Sequence, residues 1–353
     1  METPLLAQHR AAGAGLAEYS GCLLPARFST FRREYEAARD AVAAFDTTWH
    51  AVIVPSGPDR ARYLNAVLTN NIQALTAGRG CIALLLNPQG HILAEVEVYA
   101  EPDRLLTLSH ASVRERTVAT LDKYIIMDDV QLEDLTDGLG SFAVEGPRAP
   151  AIIQQACGIA IEELPDMSIR EVTIEHVSCT ILRRSHFGEL GAEFIAPAPK
   201  LTLLWPKLAA AAKAHGGAPI GTDALNALRL EARVPWFPVD FNDTVIPHEA
   251  AVENTHISFT KGCYTGQEIV ERVRSRGQVH RKRVLLKFSD GASTVPRPGT
   301  KLSAGDGTEV GAVTSAAYSP ASRASIGMGY VRGESNAPGS ALKYEGGTAT
   351  VMP

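Results

Sequence analysis

The sequence predicts an α+β fold that ends in a small antiparallel β-barrel. A chain of 353 residues exceeds one ordinary domain of roughly 100 to 200 residues, so two or three domains are expected. Helical and strand patterns intermingle without a strict βαβ rhythm, which favours helices packed on mostly antiparallel sheets. After Arg283 no helical period remains, and short alternating stretches lie between frequent glycines. We therefore expect an α+β region over residues 1–280 and a barrel module over residues 281–353.

Apolar spacing and turn residues place the individual elements. A first helix is expected from Ser29 to about Asp46, because apolar residues recur there at steps of three and four. CIALLLN and HILAEVEVYA, joined by NPQG, predict a β-hairpin. The other expected elements, in chain order, are a strand in HAVIVPSG, a helix in RARYLNAVLTN, a helix around Val113 to Tyr124, strands in VQLEDLT and SFAVEG, a helix in RAPAIIQQACG, strands in EVTIEHVSC and TILRRSHFG, a helix from Leu201 to His215, a helix capped by Thr222 and running to Arg233, and strands in VLLKF, EVGAVTSAAY and ALKYE.

Composition excludes several classes of protein. Hydrophobic residues make up 45% and charged residues 21%, and no segment approaches the ~18 consecutive apolar residues of a membrane helix, so no membrane contact is expected. Residues 1–21 lack the layout of a secretory signal, which predicts a cytoplasmic location. The five cysteines are widely spaced and predict free thiols. A net charge of −5 gives no global reason to bind nucleic acid.

The octet KGCYTGQE, residues 261–268, carries the strongest chemical signal. Thr265 and Glu268 have the spacing of a capping box, so a helix should begin there. Cys263 would then lie near the positive end of a helix dipole, with Lys261 two residues before it, and both features favour a thiolate. Such a thiolate could be a nucleophile, a redox sensor, or a metal or cluster ligand. The alternative is a small buried hydrophobic residue without chemistry.

A cationic strip follows the octet. Residues 272–283 contain six Lys or Arg and no acidic residue. The strip could form an anion site for a carboxylate, a phosphate or RNA. It could equally consist of cations at a helix C-terminus followed by the solvated face of a strand.

The octet, with Arg272 after it, resembles the signature of the YgfZ-type folate-binding proteins, relatives of the glycine-cleavage T-protein that include iron–sulfur assembly factors. The resemblance runs from about Ser29 to the end of the chain. It implies a three-lobed cloverleaf around a central hole that accepts tetrahydrofolate or another reduced folate, with the barrel as last lobe. The other segments that carry it are Phe45-Asp46, the turn at Gly57, Leu68–Asn71, Gly78–Gly80, Asn87–Gly90, Glu145–Pro147, Gly188–Glu193, Arg229–Ala232 and Pro247–Glu249.

The resemblance also implies roles for individual residues. Glu193 stands where the superfamily holds the pterin with a glutamate, and one carboxylate can accept two parallel N–H groups. His186 replaces the aromatic residue that opens the same motif, and Arg229 resembles an arginine near the folate. Ala94 and Glu95 replace a catalytic aspartate pair. Because a displacement of about an angstrom at a reacting centre can cost ~100-fold in rate, this change argues against glycine cleavage itself.

Three functions follow from these residues. The first is a folate-dependent factor, non-enzymatic or weakly catalytic, that supports assembly or repair of iron–sulfur enzymes and is also linked to tRNA modification. Its partners would be iron–sulfur assembly proteins or client enzymes, and Cys263 would be a shared cluster ligand because the chain lacks a metal site of its own. The alternative is a tetrahydrofolate-dependent aminomethyl or methyl transferase that uses Glu95. The third is an RNA-modification accessory that docks RNA on the cationic strip.

Overall fold

A computed structural model describes residues 1–289 and 295–353. The α-helices of this part are α1 (Leu6–Ala11), α2 (Phe31–Asp40), α3 (Arg60–Val67), α4 (Arg114–Tyr124), α5 (Ala149–Cys157), α6 (Ala198–Ala214), α7 (Thr222–Glu231), α8 (Pro247–Ala250), α9 (Glu253–His256) and α10 (Gln267–Arg276). The β-strands are β1 (Gly15–Tyr19), β2 (Cys22–Arg27), β3 (Ala43–Asp46), β4 (His50–Ser56), β5 (Gly80–Leu86), β6 (Ile92–Ala100), β7 (Leu105–His110), β8 (Gln131–Asp134), β9 (Leu139–Glu145), β10 (Ser168–Ile174), β11 (Val177–Arg183), β12 (Gly191–Pro197), β13 (Ala218–Pro219), β14 (Arg281–Phe288), β15 (Lys301–Ser303), β16 (Glu309–Ser319), β17 (Ala324–Arg332), β18 (Ala341–Tyr344) and β19 (Gly347–Val351).

The strands form three large units. A five-stranded antiparallel sheet has the order β5-β6-β7-β4-β8, and a six-stranded sheet has the order β10-β11-β12-β9-β3-β13. The second sheet is antiparallel except for the pairing of β13 with β3. The C-terminal strands close into an antiparallel barrel, β14-β17-β16-β15-β18-β19, in which β19 pairs back with β14. The predicted α+β class, three-lobed architecture and C-terminal barrel are confirmed.

Apolar side chains join the two sheets and place the functional region between them. Val52 and Val54 of β4 and Leu106 and Leu108 of β7 pack in one buried cluster with Ile195 of β12. The α-helices cover the outer faces, as α5 and α6 do against the six-stranded sheet. Buried apolar surface is the main stabilising term in such layered packing. Since the sheets are held face to face, side chains at the edge of this contact have fixed positions.

The first helix is shorter in the structure than the sequence predicted. Thr30 caps α2, accepting from the Arg33 N–H, but the helix ends at Asp40. Residues 43–46 form β3, which is buried along its whole length between β9 and β13. The apolar run there fits either periodicity, and pairing on both edges decides for a strand.

Other local predictions also need correction. Gly221, not Thr222, is the N-cap of α7. The hairpin of β10 and β11 turns at Glu175 and His176, inside the segment expected to be one strand. The prediction lacked β7 and the N-terminal elements α1, β1 and β2. β14 begins at Arg281, but separate folding of residues 1–280 and 281–353 stays a prediction. Across residues 1–289 and 295–353, none of the helices has the length and hydropathy needed to cross a membrane.

Candidate functional site

A cavity of about 50 Å³ lies where the five-stranded sheet meets the ends of β1 and β11 and the segment after α7. Both carboxylate and aromatic side chains face it. The lining residues are Tyr19, Trp49, His50, Glu95, Glu97, Leu108, Ser109, His110, Arg184, His186, Trp236 and Phe237.

Strand alternation explains why several polar residues share one wall. Glu95 and Glu97 are two residues apart on β6 and so point to the same face. Glu97 lies opposite Leu108 of β7, and His110 is two residues further along β7, on the same face as Leu108. His110 in turn lies opposite His50 of β4. The sheet therefore presents two carboxylates and two imidazoles side by side.

Glu95 is the carboxylate of this wall that keeps access to the cavity. Its Oε1 lies 2.9 Å from Nε2 of His256 on α9, and its side chain remains 23% exposed. The buried His256 is positioned by a 2.7 Å contact between its Nδ1 and the Thr255 hydroxyl. A carboxylate with one oxygen fixed and part of its surface open can accept or deliver a proton in the cavity.

Glu97 belongs to a denser ionic network. Its Oε1 lies 2.7 Å from Nη1 of Arg184, and its Oε2 accepts from the Tyr99 hydroxyl at 2.7 Å. The same Arg184 nitrogen lies 3.3 Å from Oε2 of Glu193. Arg184 thus bridges two buried carboxylates, which fixes the guanidinium at the edge of the cavity.

Glu193, the predicted pterin carboxylate, is fully buried on β12 and lies behind the residues that line the cavity. Its Oε1 accepts from the Thr47 hydroxyl at 2.9 Å and lies 3.1 Å from His50 Nε2. Burial alone would raise the pKa of Glu193, but His50, His186 and Arg184 hold it well below its usual range. Both oxygens therefore already have protein partners, and direct pterin binding by Glu193 stays a prediction.

His186 reaches the cavity from the loop after β11. Its Nδ1 lies 3.1 Å from Glu145 Oε2, and its Nε2 lies 3.4 Å from Glu193 Oε2. Burial lowers the pKa of His186 and Arg184 adds to that, yet the two glutamates outweigh both and leave the pKa raised. The ring meets Phe45 edge to face at 5.0 Å. The residue that departs from the aromatic pattern is thus hydrogen-bonded to Glu145 and lies beside Glu193.

His110 presents an unpaired polar atom to the cavity. Its Nδ1 accepts from the Ser112 N–H at 3.1 Å, so the proton of the neutral ring is assigned to Nε2. Burial, followed by the charge of His50, lowers the pKa of His110 to about 4. Within the described residues its Nε2 has no hydrogen-bond partner, although the residue is only 6% exposed. A buried donor without a partner is costly, and a ligand acceptor would satisfy it.

Aromatic rings form the wall next to Glu95. The ring centroids of Tyr19 and Trp49 are 6.2 Å apart, those of Tyr19 and Trp236 are 5.4 Å apart, and those of Trp49 and Trp236 are 6.3 Å apart. Their interplanar angles of 61°, 79° and 41° make the rings adjoining walls rather than a stack. We call these three residues the aromatic corner.

Arg229, the predicted folate arginine, supports this corner from behind. It is fully buried, pairs with Asp240, and donates to Asn226 Oδ1 at 2.7 and 2.9 Å. Its guanidinium carbon lies 4.7 Å from the Trp236 ring centroid. Asp240 also accepts a hydrogen bond from the backbone N–H of Trp236 at 3.0 Å. Arg229 is not among the lining residues of the described cavity, and its role toward folate stays a prediction.

The barrel completes the support of Asp240. The hydroxyls of Thr314 and Ser315, both on β16, donate to Asp240 Oδ1 at 2.7 and 2.5 Å. A chain of contacts therefore runs from the barrel through Asp240 and Arg229 to Trp236.

The octet lies apart from this cavity's lining. Cys263 is exposed, and neither it nor Lys261 is among the described lining residues. Lys261 donates to the carbonyls of Asn65 and Leu68, and burial lowers its pKa to about 8. The cation expected beside Cys263 is thus engaged by backbone carbonyls.

The predicted capping box is wrong. Gly266, in a left-handed conformation at φ 82°, is the N-cap of α10, and in the described part of the chain no side chain caps this helix. Glu268 instead pairs with Arg272 at 2.5 Å. Glycine adopts this left-handed conformation without the steric strain that a residue with a side chain would have. Glu268 pairs instead with a residue one turn further along the helix.

The cationic strip is largely neutralised by the protein. Arg274 lies 3.6 Å from Glu271 and 4.1 Å from the Phe259 ring centroid. Arg281 lies 3.3 Å from Glu249, and Arg283 donates to the Ala250 carbonyl at 2.8 Å. The side chain of Arg276 lies outside the described part of the structure. These contacts favour the structural interpretation of the strip over an RNA site.

Family comparison identifies the chain. The GCVT N-terminal domain matches residues 5–261, and the glycine cleavage T-protein C-terminal barrel domain matches residues 281–351. The chain belongs to the glycine cleavage T-protein family. It is 29% identical over 340 residues to an aminomethyltransferase of Streptomyces coelicolor, and the match covers 96% of this chain and 91% of the relative. It is 27% identical over 345 residues to an aminomethyltransferase of Bacillus subtilis, with coverage of 97% and 94%.

A solved T-protein structure has the same fold. Glycine cleavage system aminomethyltransferase T from Bartonella henselae superposes with a TM-score of 0.90 at 24% identity, over 100% of this chain and 97% of that chain. The T-protein fold expected from the sequence is thereby confirmed. The YgfZ-type assignment within the superfamily stays a prediction.

The polar groups on the cavity wall complement the cofactor of the T-protein family. Proteins of this family use tetrahydrofolate, as the sequence predicted. A pterin edge offers N–H donors together with a carbonyl acceptor, and the wall offers the Glu95 carboxylate beside the unpaired donor of His110. Within residues 1–289 and 295–353, no cluster of His, Cys, Asp or Glu has the arrangement of a metal site. All five cysteines are free thiols.

Sequence reasoning missed most of this T-protein cavity. Of the predicted site residues, the structure brings Glu95 and His186 to the cavity, and it places Glu193 and Arg229 behind the wall. One signal was available, because Glu95 and Glu97 alternate within an apolar strand and must share a face. The other missed residues are His50, Trp49, Tyr19, His110, Arg184, Trp236, Phe237 and His256, which join only through long-range contacts.

Proposed function

We propose that this protein transfers a one-carbon unit, carried on an amine as an aminomethyl or methyl group, to a reduced folate. The observation that supports this most is Glu95, a partly open carboxylate fixed by His256 on the wall of the cavity. The relatives that share its full length are named aminomethyltransferases, which favours the transferase over the iron–sulfur factor.

The residues of the cavity supply acid–base chemistry and positioning. A bound reduced folate supplies a nucleophilic nitrogen that accepts the one-carbon unit. Glu95 is placed to take the proton that this nitrogen must lose when the new bond forms. The electron pair of the broken donor bond leaves with the departing amine, so charge and atoms balance. His256 keeps the Glu95 carboxylate oriented, which limits the reorganisation required in the transition state.

Glu95 does this work with a longer side chain than the family's aspartate. By the resemblance, Glu95 takes the acidic position of the aspartate pair. Its extra methylene moves the carboxylate further from β6, and the contact with His256 compensates by holding one oxygen. We therefore expect a donor different in size from that of glycine cleavage, with the same use of a carboxylate.

Replacement of Glu95 by glutamine tests the proposal. Glu95→Gln keeps the shape and removes the proton acceptor, so single-turnover transfer from an amine donor to tetrahydrofolate should fall by ~10²–10⁴-fold. Tetrahydrofolate binding should change far less than turnover. Glu133→Gln, an exposed site on β8 of the same sheet, is the matched control. Wild-type turnover by Glu95→Gln would contradict the role of Glu95, and no turnover by the wild type with any amine donor would contradict the transferase.

The exposed Cys263 supports a second candidate function. A thiol on the surface at the start of α10 can be reached by a partner protein, as a shared iron–sulfur cluster ligand must be. This role, in the cytoplasm and in the manner of YgfZ-type proteins, would use Cys263 and not the cavity carboxylates. The two candidates therefore depend on different residues and can be separated by mutation.

A further inference from the structure

We propose that the aromatic corner of Tyr19, Trp49 and Trp236 binds the methylated ammonium group of the one-carbon donor. The donor is thereby assigned to one chemical class, small amines that carry a positive charge and N-methyl groups. Binding of such a group stands on the cavity alone, and its part in catalysis rests on the proposed function.

The geometry of the rings suits a rounded cation. A methylated ammonium is bulky, spreads its charge over its methyl groups and donates few or no hydrogen bonds. Aromatic faces attract such groups through the ring quadrupole when the cation lies within about 6 Å of the ring centroid. The three rings all line the cavity, and they are inclined at 41–79° to one another with centroids 5.4–6.3 Å apart, so one cation in the cavity can approach more than one ring.

The charges around the corner also favour a cation. Glu95 and Tyr19 line the same cavity. Glu97 and Glu193 share the single guanidinium of Arg184. The nearby Arg229 is paired with Asp240, and the described ion pair of Glu95 is with the His256 imidazole, so carboxylates outnumber guanidinium groups here. A positively charged ligand would offset this excess in a site of low dielectric.

The rings do not contribute equally. Arg229 already occupies one face of Trp236, so that ring has less capacity for a second cation. In the described part of the chain no Lys or Arg lies over Tyr19 or Trp49. Trp49 is therefore the ring whose removal should cost most, since indole is the strongest cation binder of the three ring types.

A pair of probes with the same shape tests the assignment in the wild-type protein. Trimethylglycine and 3,3-dimethylbutyrate have the same outline and carboxylate, but only the first carries a positive charge. Calorimetric titration of the full-length protein should show trimethylglycine binding at least about tenfold more tightly. Equal affinities, or no binding of trimethylglycine at millimolar concentration, would overturn the assignment.

Variants locate the binding to the corner. Trp49→Leu should weaken trimethylglycine binding by about tenfold or more, while Tyr124→Leu, an aromatic replacement on α4 outside the cavity, should leave it unchanged. Circular dichroism would show whether each variant is folded, and the probe pair remains decisive if Trp49→Leu is not. Charge-dependent binding without transfer to tetrahydrofolate would sink the proposed function and keep this subsite. Transfer to tetrahydrofolate with no preference between the probes would sink the subsite and keep the proposed function.

Discussion

Glu193→Gln should destabilise the protein because it removes the negative charge on which the buried network depends. The carboxylate has a donor or cation at each oxygen, Thr47 and His50 at one, Arg184 and His186 at the other. Glutamine keeps an oxygen for the Thr47 hydroxyl, but its amide nitrogen would face donors. The substitution therefore breaks charged contacts without opening a cavity.

The size of the effect follows from what Arg184 retains. Removal of one partner of a buried ion pair typically costs 3–5 kcal/mol. Arg184 keeps its 2.7 Å contact with Glu97, so the loss should lie at the lower end, about 3 kcal/mol in the free energy of unfolding. Urea denaturation at pH 7 measures it as a shift of the midpoint at constant slope. Glu171→Gln, an exposed site on β10 of the same sheet, is the control.

The pH dependence supplies an independent check. The pKa of Glu193 is lower in the folded state, so its ionised form adds stability above the unfolded pKa, and this is lost as pH falls through the folded value. The difference in unfolding free energy between wild type and Glu193→Gln should therefore shrink in acid. Equal midpoints for Glu193→Gln and Glu171→Gln at pH 7, or a difference independent of pH, would refute the description of this network.

Two further predictions concern the octet and its helix. Cys263→Ala should change the free energy of unfolding by less than ~0.5 kcal/mol because the side chain is exposed, yet it should abolish support of iron–sulfur enzymes in cells if the second candidate function holds; full complementation by this variant would eliminate that candidate. Gly266→Ala should destabilise by more than ~1 kcal/mol, since its φ is 82° and an added Cβ would lie 2.7 Å from the Asn87 carbonyl oxygen. Gly305→Ala, where a Cβ meets nothing within 4 Å, is the control in thermal unfolding, and equal melting temperatures would contradict the strain at Gly266.

The sequence predicted the elements better than their junctions. Short apolar segments placed β4, β5 and β6 correctly: β4 and the second half of β5 are buried on both faces, and β6 alternates between buried and half-buried residues in its first half. The run at residues 41–46 fits both periods, and only its pairing with β9 and β13 selects a strand. Spacing at the octet suggested a capping box, but the positive φ of Gly266 provides the turn instead. The local sequence pattern cannot show which of two possible secondary structures, or which of two possible helix caps, the surrounding structure allows.

The site was predictable only where chemistry and pattern coincide. Glu95 and Glu97 are charges in an apolar strand, and burying them requires partners, so they mark a polar interior site. Tyr19, Arg184 and His256 carry no comparable signal, because each is an ordinary residue until β1, β11 and α9 converge. The resemblance supplied Glu193 and Arg229, but it could not show that both lie behind the wall.

The barrel contributes no residue to the wall of the cavity among those described, yet the position of Trp236 depends on it. Through two hydroxyls on β16 it anchors Asp240, and through Asp240 it anchors the arginine beneath the indole. The barrel therefore supports the wall of the cavity through buried contacts without lining the cavity itself. A chain that lacked β16 would lose both hydroxyl contacts to Asp240, and with them part of the support beneath Trp236.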